Sequence, residues 1–139
     1  MLTLPDYFRD ANDQPVAYDG SPVHWRVSAY GILIQDDQLL VAKQAQEKFW
    51  DLPGGGIELT ETIEEALIRE GLEETGWLLE PVRQVNLIIN FFFHTDERAF
   101  YKTLQLYWIV NGTNSGQPPT DQRITQVRLQ PVDQLDDIE

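Results

Sequence analysis

The chain has 139 residues and no cysteine, so it fits one domain and excludes disulfides and thiolate metal sites. Ten basic and 23 acidic residues give a formal net charge of −13, which argues against a nucleic-acid-binding surface. No window approaches the ~20 apolar residues of a membrane helix, and the start, Met1 to Asp6, has no basic n-region, so a soluble, cytoplasmic protein is expected.

Residues 1–22 carry Pro5, Pro15, Gly20 and Pro22 with little periodicity, and read as an irregular arm with room for one short helix. Arg26 to Gln35 is rich in β-branched and aromatic residues and predicts a strand. Asp36-Asp37 reads as a tight turn, and Gln38 to Lys43 as the returning strand. Phe49 to Pro53 is short and extended, and Gly54-Gly55-Gly56 then breaks the pattern.

Thr62-Ile63-Glu64-Glu65 fits a capping box, with Thr62 as N-cap and Glu65 at N3. The helix would run to about Thr75, with Gly76 placed to end it. Val82 to His94 and Ala99 to Val110 read as long strands, Asn111 to Gln122 as a polar loop, and Ile124 to Leu129 as a last strand. Pro131 to Ile138 predicts a short terminal helix. The order implies an α/β fold, a mixed sheet with helices packed on it, in a single domain over 1–139.

Chemistry concentrates in the acidic stretch, where eight of the 23 acidic residues lie between Glu58 and Glu80. A solvated helix face is the common fate of such a cluster. Spacing argues otherwise here, because Glu70, Glu73 and Glu74 stand at i, i+3 and i+4 on one helix face. Three like charges there destabilise the helix unless a cation bridges them, and Mg²⁺ prefers carboxylate oxygens. Arg69 is four residues before Glu73 and can orient it, and Glu61 sits just before the N-cap. The glycine run lets backbone approach a ligand closely.

Gly55, Glu61, Arg69-Glu70, Glu73-Glu74 and Gly76-Trp77 together resemble the 23-position signature of the Nudix hydrolases. Trp50-Asp51-Leu52-Pro53-Gly54-Gly55 is similar to the family's usual lead-in. The resemblance spans roughly Arg26 to Leu135. It implies the Nudix-type α/β/α sandwich, with a mixed β-sheet and a catalytic loop-helix-loop. It also implies Mg²⁺-dependent, or Mn²⁺-dependent, hydrolysis of a nucleoside diphosphate linked to another moiety. Metal ligands would map onto Glu70, Glu73 and Glu74 with the Gly54 carbonyl, while Arg69 and Glu61 hold the carboxylates in place.

Three positions depart from the pattern. Gly71 stands where the family is apolar, which suggests a close helix–sheet contact and a Gly71→Ala change that leaves activity intact. Thr60 replaces a glycine. Arg123 stands near a usual acidic position, leaving Asp121 or a helix glutamate as the base.

The substrate side is less specific. Arg26, Trp50 and Phe93 are candidate contacts to phosphate or base. Core packing is the commoner fate of the aromatics in Phe91-Phe92-Phe93-His94, and solvated surface that of Arg26 and Lys43. The proline that marks ADP-ribose hydrolysis in the family is replaced by Phe93. A nucleoside triphosphate of the nucleotide-pool sanitising type is the favoured substrate, with a nucleotide sugar or ADP-ribose as alternatives. A nucleotide-binding regulatory module without activity is the non-enzyme alternative. Small-molecule nucleotides are the expected partners, without nucleic acid or membrane, and monomer and homodimer both remain open.

Overall fold

A computed structural model describes residues 3–136. The chain opens with two short strands, β1 (Tyr7–Arg9) and β2 (Pro15–Ala17), where irregular structure or a helix was expected. Phe8 explains the difference. Its side chain is fully buried and packs on the rings of Tyr18, Phe91 and Phe100 at 4.9–5.3 Å. The Asp10 carboxylate accepts from the amides of Asn12 and Gln14 and closes the turn, with Asp13 in the left-handed region. One buried ring in a three-residue strand leaves too short an alternation to read from sequence.

The first long strand, β3 (Val23–Ile32), starts three residues earlier than expected. At the fully buried Leu33 the chain leaves this sheet, and β4 (Ile34–Gln35) belongs to another. Asp36 and Asp37 both have positive φ, the backbone of a tight hairpin turn, and lead into β5 (Gln38–Gln44). The glycine run is itself a strand, β6 (Gly54–Gly56), paired antiparallel to Ser28–Tyr30 of β3.

Helix α1 (Ile63–Thr75) has the expected capping box. Thr62 accepts from the Glu65 amide, the Glu65 carboxylate accepts from the Thr62 amide, and Gly76 ends the helix at φ 74°. Strands β7 (Trp77–His94) and β8 (Ala99–Asn114) are both longer than expected. Asn111–Asn114, expected in a loop, pair with Trp77–Glu80. After β9 (Ile124–Pro131) the described residues form turns rather than the expected helix, and 137–138 of that expectation lie outside the described residues.

The strands make a six-stranded mixed sheet, β2-β1-β7-β8-β3-β6, and a three-stranded antiparallel sheet, β4-β5-β9. The main core includes Leu67 of α1 in one buried cluster with Ala29, Leu33, Leu40, Leu79, Leu106 and Val110. A second cluster joins Leu39, Val41 and Trp50.

Gly71 marks the close approach of α1 to β7. A Cβ there would come within 2.5 Å of Leu79 Cγ and 3.2 Å of the Trp77 carbonyl oxygen. Gly71→Ala gains about 1 kcal/mol of helix propensity but overpacks a filled core, which costs about 1–3 kcal/mol. We predict a net loss of about 1 kcal/mol in urea unfolding with activity per folded molecule retained. Equal or higher stability would contradict the contact.

Candidate active site

The glycine strand and α1 meet edge to face, and each glycine serves a different side chain. The Gly54 amide donates to Glu74 Oε1 at 2.8 Å. Its φ of 154° and a built Cβ 2.1 Å from the Ala29 carbonyl oxygen restrict this position to glycine. At Gly55, a Cβ would lie 2.8 Å from Glu70 Oε1, so the missing side chain is the space the Glu70 carboxylate occupies. Gly56 lies under the Arg26 guanidinium, whose Nε would sit 3.5 Å from a Cβ there.

Arg69 ties loop and helix together. It donates to Glu61 at 2.6 and 2.9 Å, to Glu70 at 2.9 Å, to Glu73 at 3.2 Å and to the Gly56 carbonyl at 3.1 Å. Its hydrogen bonds hold the Glu61 carboxyl below the usual carboxylate range. The three helix glutamates differ in setting. Glu73 is half-buried, its side chain 42% exposed. Burial pushes Glu70 up, against the pull of Arg69. Burial pushes Glu74 up to about 8, against the Gly54 amide, with Glu70 and Asp121 adding repulsion.

The polar loop before β9 also reaches this point. The Asp121 amide donates to the Glu73 carbonyl at 2.9 Å, and the Asp121 carboxylate pairs with Arg123 at 2.8 Å. Arg123 holds Asp121 low, and its charge also acts on Glu74. Sequence spacing placed Arg123 here only through its departure from the family pattern; its pairing with Asp121 comes from the loop.

The candidate substrate residues separate. Arg26 is beside Gly56, half-buried, with its guanidinium 5.9 Å from the Tyr101 ring centre. Phe93 packs on Phe100 at 4.9 Å in the aromatic cluster of the first hairpin. Phe100 pairs with Val23, five residues along β3 from the Ser28–Gly56 pair, so Phe93 is offset from the glycine strand by about 17 Å along the strand direction alone, with two strands, β8 and β3, between them. Trp50 is 4% exposed in the second core cluster, with the Arg128 guanidinium 3.8 Å above its ring. Both aromatics therefore have packing partners of their own, Phe93 in the aromatic cluster and Trp50 in the second core cluster.

The donor chemistry fits a divalent cation. Burial raises the proton affinity of two neighbouring carboxylates, and an oxygen-seeking cation would relieve their repulsion. Among the described residues no three acidic or histidine side chains already form a closed cage, and Arg69 bridges Glu70 and Glu73. Glu70, Glu73 and Glu74 are the residues that would hold the ion.

A NUDIX domain model matches residues 24–139. The chain belongs to this family. A MutT-like protein of Streptomyces ambofaciens is 41% identical over 48% of this chain and 44% of that protein. A Bacillus subtilis protein provisionally named an 8-oxo-dGTP diphosphatase is 32% identical over 52% of this chain and 49% of that protein. The chain thus spans about half the length of these curated relatives. The crystal structure of an ADP-ribose pyrophosphatase from Streptococcus suis superposes with a TM-score of 0.64 at 18% identity, covering 81% of this chain and 78% of that one, and shares the Nudix fold. Among the described residues no helix is long and apolar enough to cross a membrane.

Glu74 gives a pH test. Its pKa is near 8 when folded against an ordinary 4.5, so between those values the native state holds more protons than the unfolded chain. Metal-free stability from this group therefore falls as pH rises through that window. Glu74→Gln should remove that decline and gain more than about 1 kcal/mol over wild type at pH 8 in EDTA, measured by urea unfolding. Parallel pH profiles for the two proteins would contradict the buried setting of Glu74.

Proposed function

We propose that this chain is a Mg²⁺-dependent pyrophosphohydrolase, with Mn²⁺ as an alternative ion, that cleaves a phosphoanhydride bond in a nucleoside diphosphate linked to another moiety. The observation that carries the reading is the meeting of Glu70, Glu73 and Glu74 with the glycine strand around the Arg69 clasp. Bound to these carboxylates, a divalent ion supplies charge neutralisation for phosphate, polarisation of the P–O bond and a more acidic water. It also reconciles an anionic substrate with a chain of net charge −13.

The chain's own residues divide the remaining work. Arg69 and Glu61 hold the glutamates in register with the glycine strand. Arg26 offers a guanidinium with no ion pair among the described residues, beside the glycine backbone where a phosphate would approach. Asp121 is held low by Arg123 and is a poor proton acceptor at neutral pH, so a helix glutamate is the better-matched base. A binding module without activity has no need of all three glutamates, and this chain keeps them.

A nucleoside triphosphate is the favoured substrate, in keeping with the name of the Bacillus relative. A screen with Mg²⁺ and Mn²⁺ separates the classes by product: pyrophosphate plus a monophosphate from a triphosphate, two monophosphates from a nucleotide sugar or ADP-ribose. Glu73→Gln and Glu74→Gln should fold normally and lose at least the ~100-fold that losing an outer partner of a metal site can cost. Full turnover by both would refute the metal assignment. Arg26→Ala should raise KM about tenfold and leave the fold unchanged, the loss expected for one charge-assisted hydrogen bond. An unaltered KM would remove Arg26 from the phosphate site.

A further inference from the structure

Among the described residues Trp25 is the most exposed aromatic side chain, at 65%. Its place in the sheet gives that exposure a meaning. Register puts Trp25, Val27 and Ala29 of β3 on one face, beside Lys102, Leu104 and Leu106 of β8. Ala29 also pairs with Gly55, the glycine whose missing side chain leaves room for the Glu70 carboxylate. Ala29 and Leu106 lie in the same buried cluster as Leu67 of α1. Trp25 is therefore on the side of the sheet that carries the candidate metal site. Four residues of β3 take the chain from Trp25 to Ala29, about 13 Å along the strand.

The surroundings leave the indole accessible at the sheet edge. β6 pairs with β3 only at Ser28–Tyr30, and among the described residues no strand flanks Trp25 on that side. On the β8 side, Lys102 holds its ammonium 4.9 Å from the Trp25 ring centre and 5.6 Å from that of Phe91. Among the described residues this ammonium has no carboxylate partner. The N-terminal hairpin closes the face further along, where Phe8 packs on Phe91 and Phe100. Between hairpin and helix, β3 and β8 present Val23, Trp25, Val27, Phe100 and Leu104, all apolar, and one polar side chain, Lys102.

We propose that Trp25 and Lys102 form the nucleobase site of the substrate, the indole stacking the base and the ammonium donating to its acceptor edge. The proposal rests on the pyrophosphohydrolase reading for the position of the phosphates and adds the class of base. Continuity with the carboxylates selects the occupant, because a nucleotide whose phosphates lie at the glycine strand can run down the same face over Val27 to Trp25. Aromatic faces of this kind stack bases of any sequence. Charge agrees: in a chain of −13, an ammonium without a carboxylate partner draws an anionic ligand to this part of the face. Lys102 then decides which base. An ammonium has three donors and no acceptor, so it pairs only with acceptors. A 6-oxopurine presents O6 and N7 side by side, whereas adenine carries an amino donor in place of O6. The flexible four-carbon stem lets the ammonium swing from the rings to the edge of a stacked base. The ligand class is thus a 6-oxopurine nucleotide.

Nucleoside monophosphates test this apart from hydrolysis, since they hold no anhydride bond. Trp50 and Trp77 are buried, so acrylamide quenching of tryptophan emission reports chiefly on Trp25. With Mg²⁺ present, GMP and IMP should shield that emission saturably, AMP should bind at least about fivefold more weakly, and ribose 5-phosphate should give no shielding. By calorimetry, Trp25→Leu should lose at least about fivefold in GMP affinity with unaltered circular dichroism. Lys102→Met should bring GMP down to the affinity of AMP, and Lys102→Arg should keep the preference. Should Trp25→Leu unfold, the wild-type shielding and the two Lys102 variants decide. Unchanged quenching with GMP, wild-type affinity in Trp25→Leu, or a GMP preference that survives Lys102→Met would overturn the proposal. A protein that binds GMP at Trp25 yet hydrolyses no nucleotide would sink the proposed function instead, so the two failures are distinct.

Discussion

The Arg69 guanidinium is the contact around which the site is organised. Its donors reach three glutamates and the Gly56 carbonyl, so one side chain joins α1, the loop before it and the glycine strand. A planar cation with five N–H donors can hold several carboxylates at once, which a lysine ammonium cannot do with the same geometry. Without that cation, Glu61, Glu70 and Glu73 would repel one another across a narrow gap.

A second constraint acts through space rather than charge. The glycine strand must lie close enough to β3 to pair with it and close enough to α1 to receive two carboxylates. At Gly54 a Cβ would strike the β3 backbone, and at Gly55 it would take the place of the Glu70 carboxylate. Gly71, about 100° round the helix from Glu70, does the same against Leu79 of β7. The helix is thus seated against β6 and β7 by missing side chains, and the close seating goes with the burial of Glu74 that raises its proton affinity.

Charge and burial together explain how an acidic protein can present an anion site. Carboxylates that are costly to ionise are also groups that a divalent ion stabilises strongly. Arg26 lies on the other side of the glycine strand from Glu70, so cationic and anionic groups flank one stretch of backbone.

Much of this was legible in the sequence because it is local. The capping box, the end of the helix at Gly76 and the one-face placement of Glu70, Glu73 and Glu74 follow from helical periodicity alone. Arg69 paired with Glu73 as its i, i+4 spacing anticipated. The closeness at Gly71 was legible too, from a glycine standing where helix interiors disfavour it, although its cost depends on where Leu79 lies. Other features depend on partners distant in the chain. The first hairpin exists because Phe8 finds Phe91 and Phe100, and the glycine run is a strand because β3 offers it an edge. Phe93 and Trp50 went to packing clusters because burial is decided by what folds over a ring, not by its sequence neighbours. The loop bearing Asp121 reached the site through a backbone bond to Glu73 that no spacing rule encodes. The sequence by itself determined which side chains share the helix face and how that helix starts and stops, since those rest on contacts within a few residues. Only the tertiary structure decided how deeply each carboxylate is buried and which edge stays open, since both depend on the packing of distant strands.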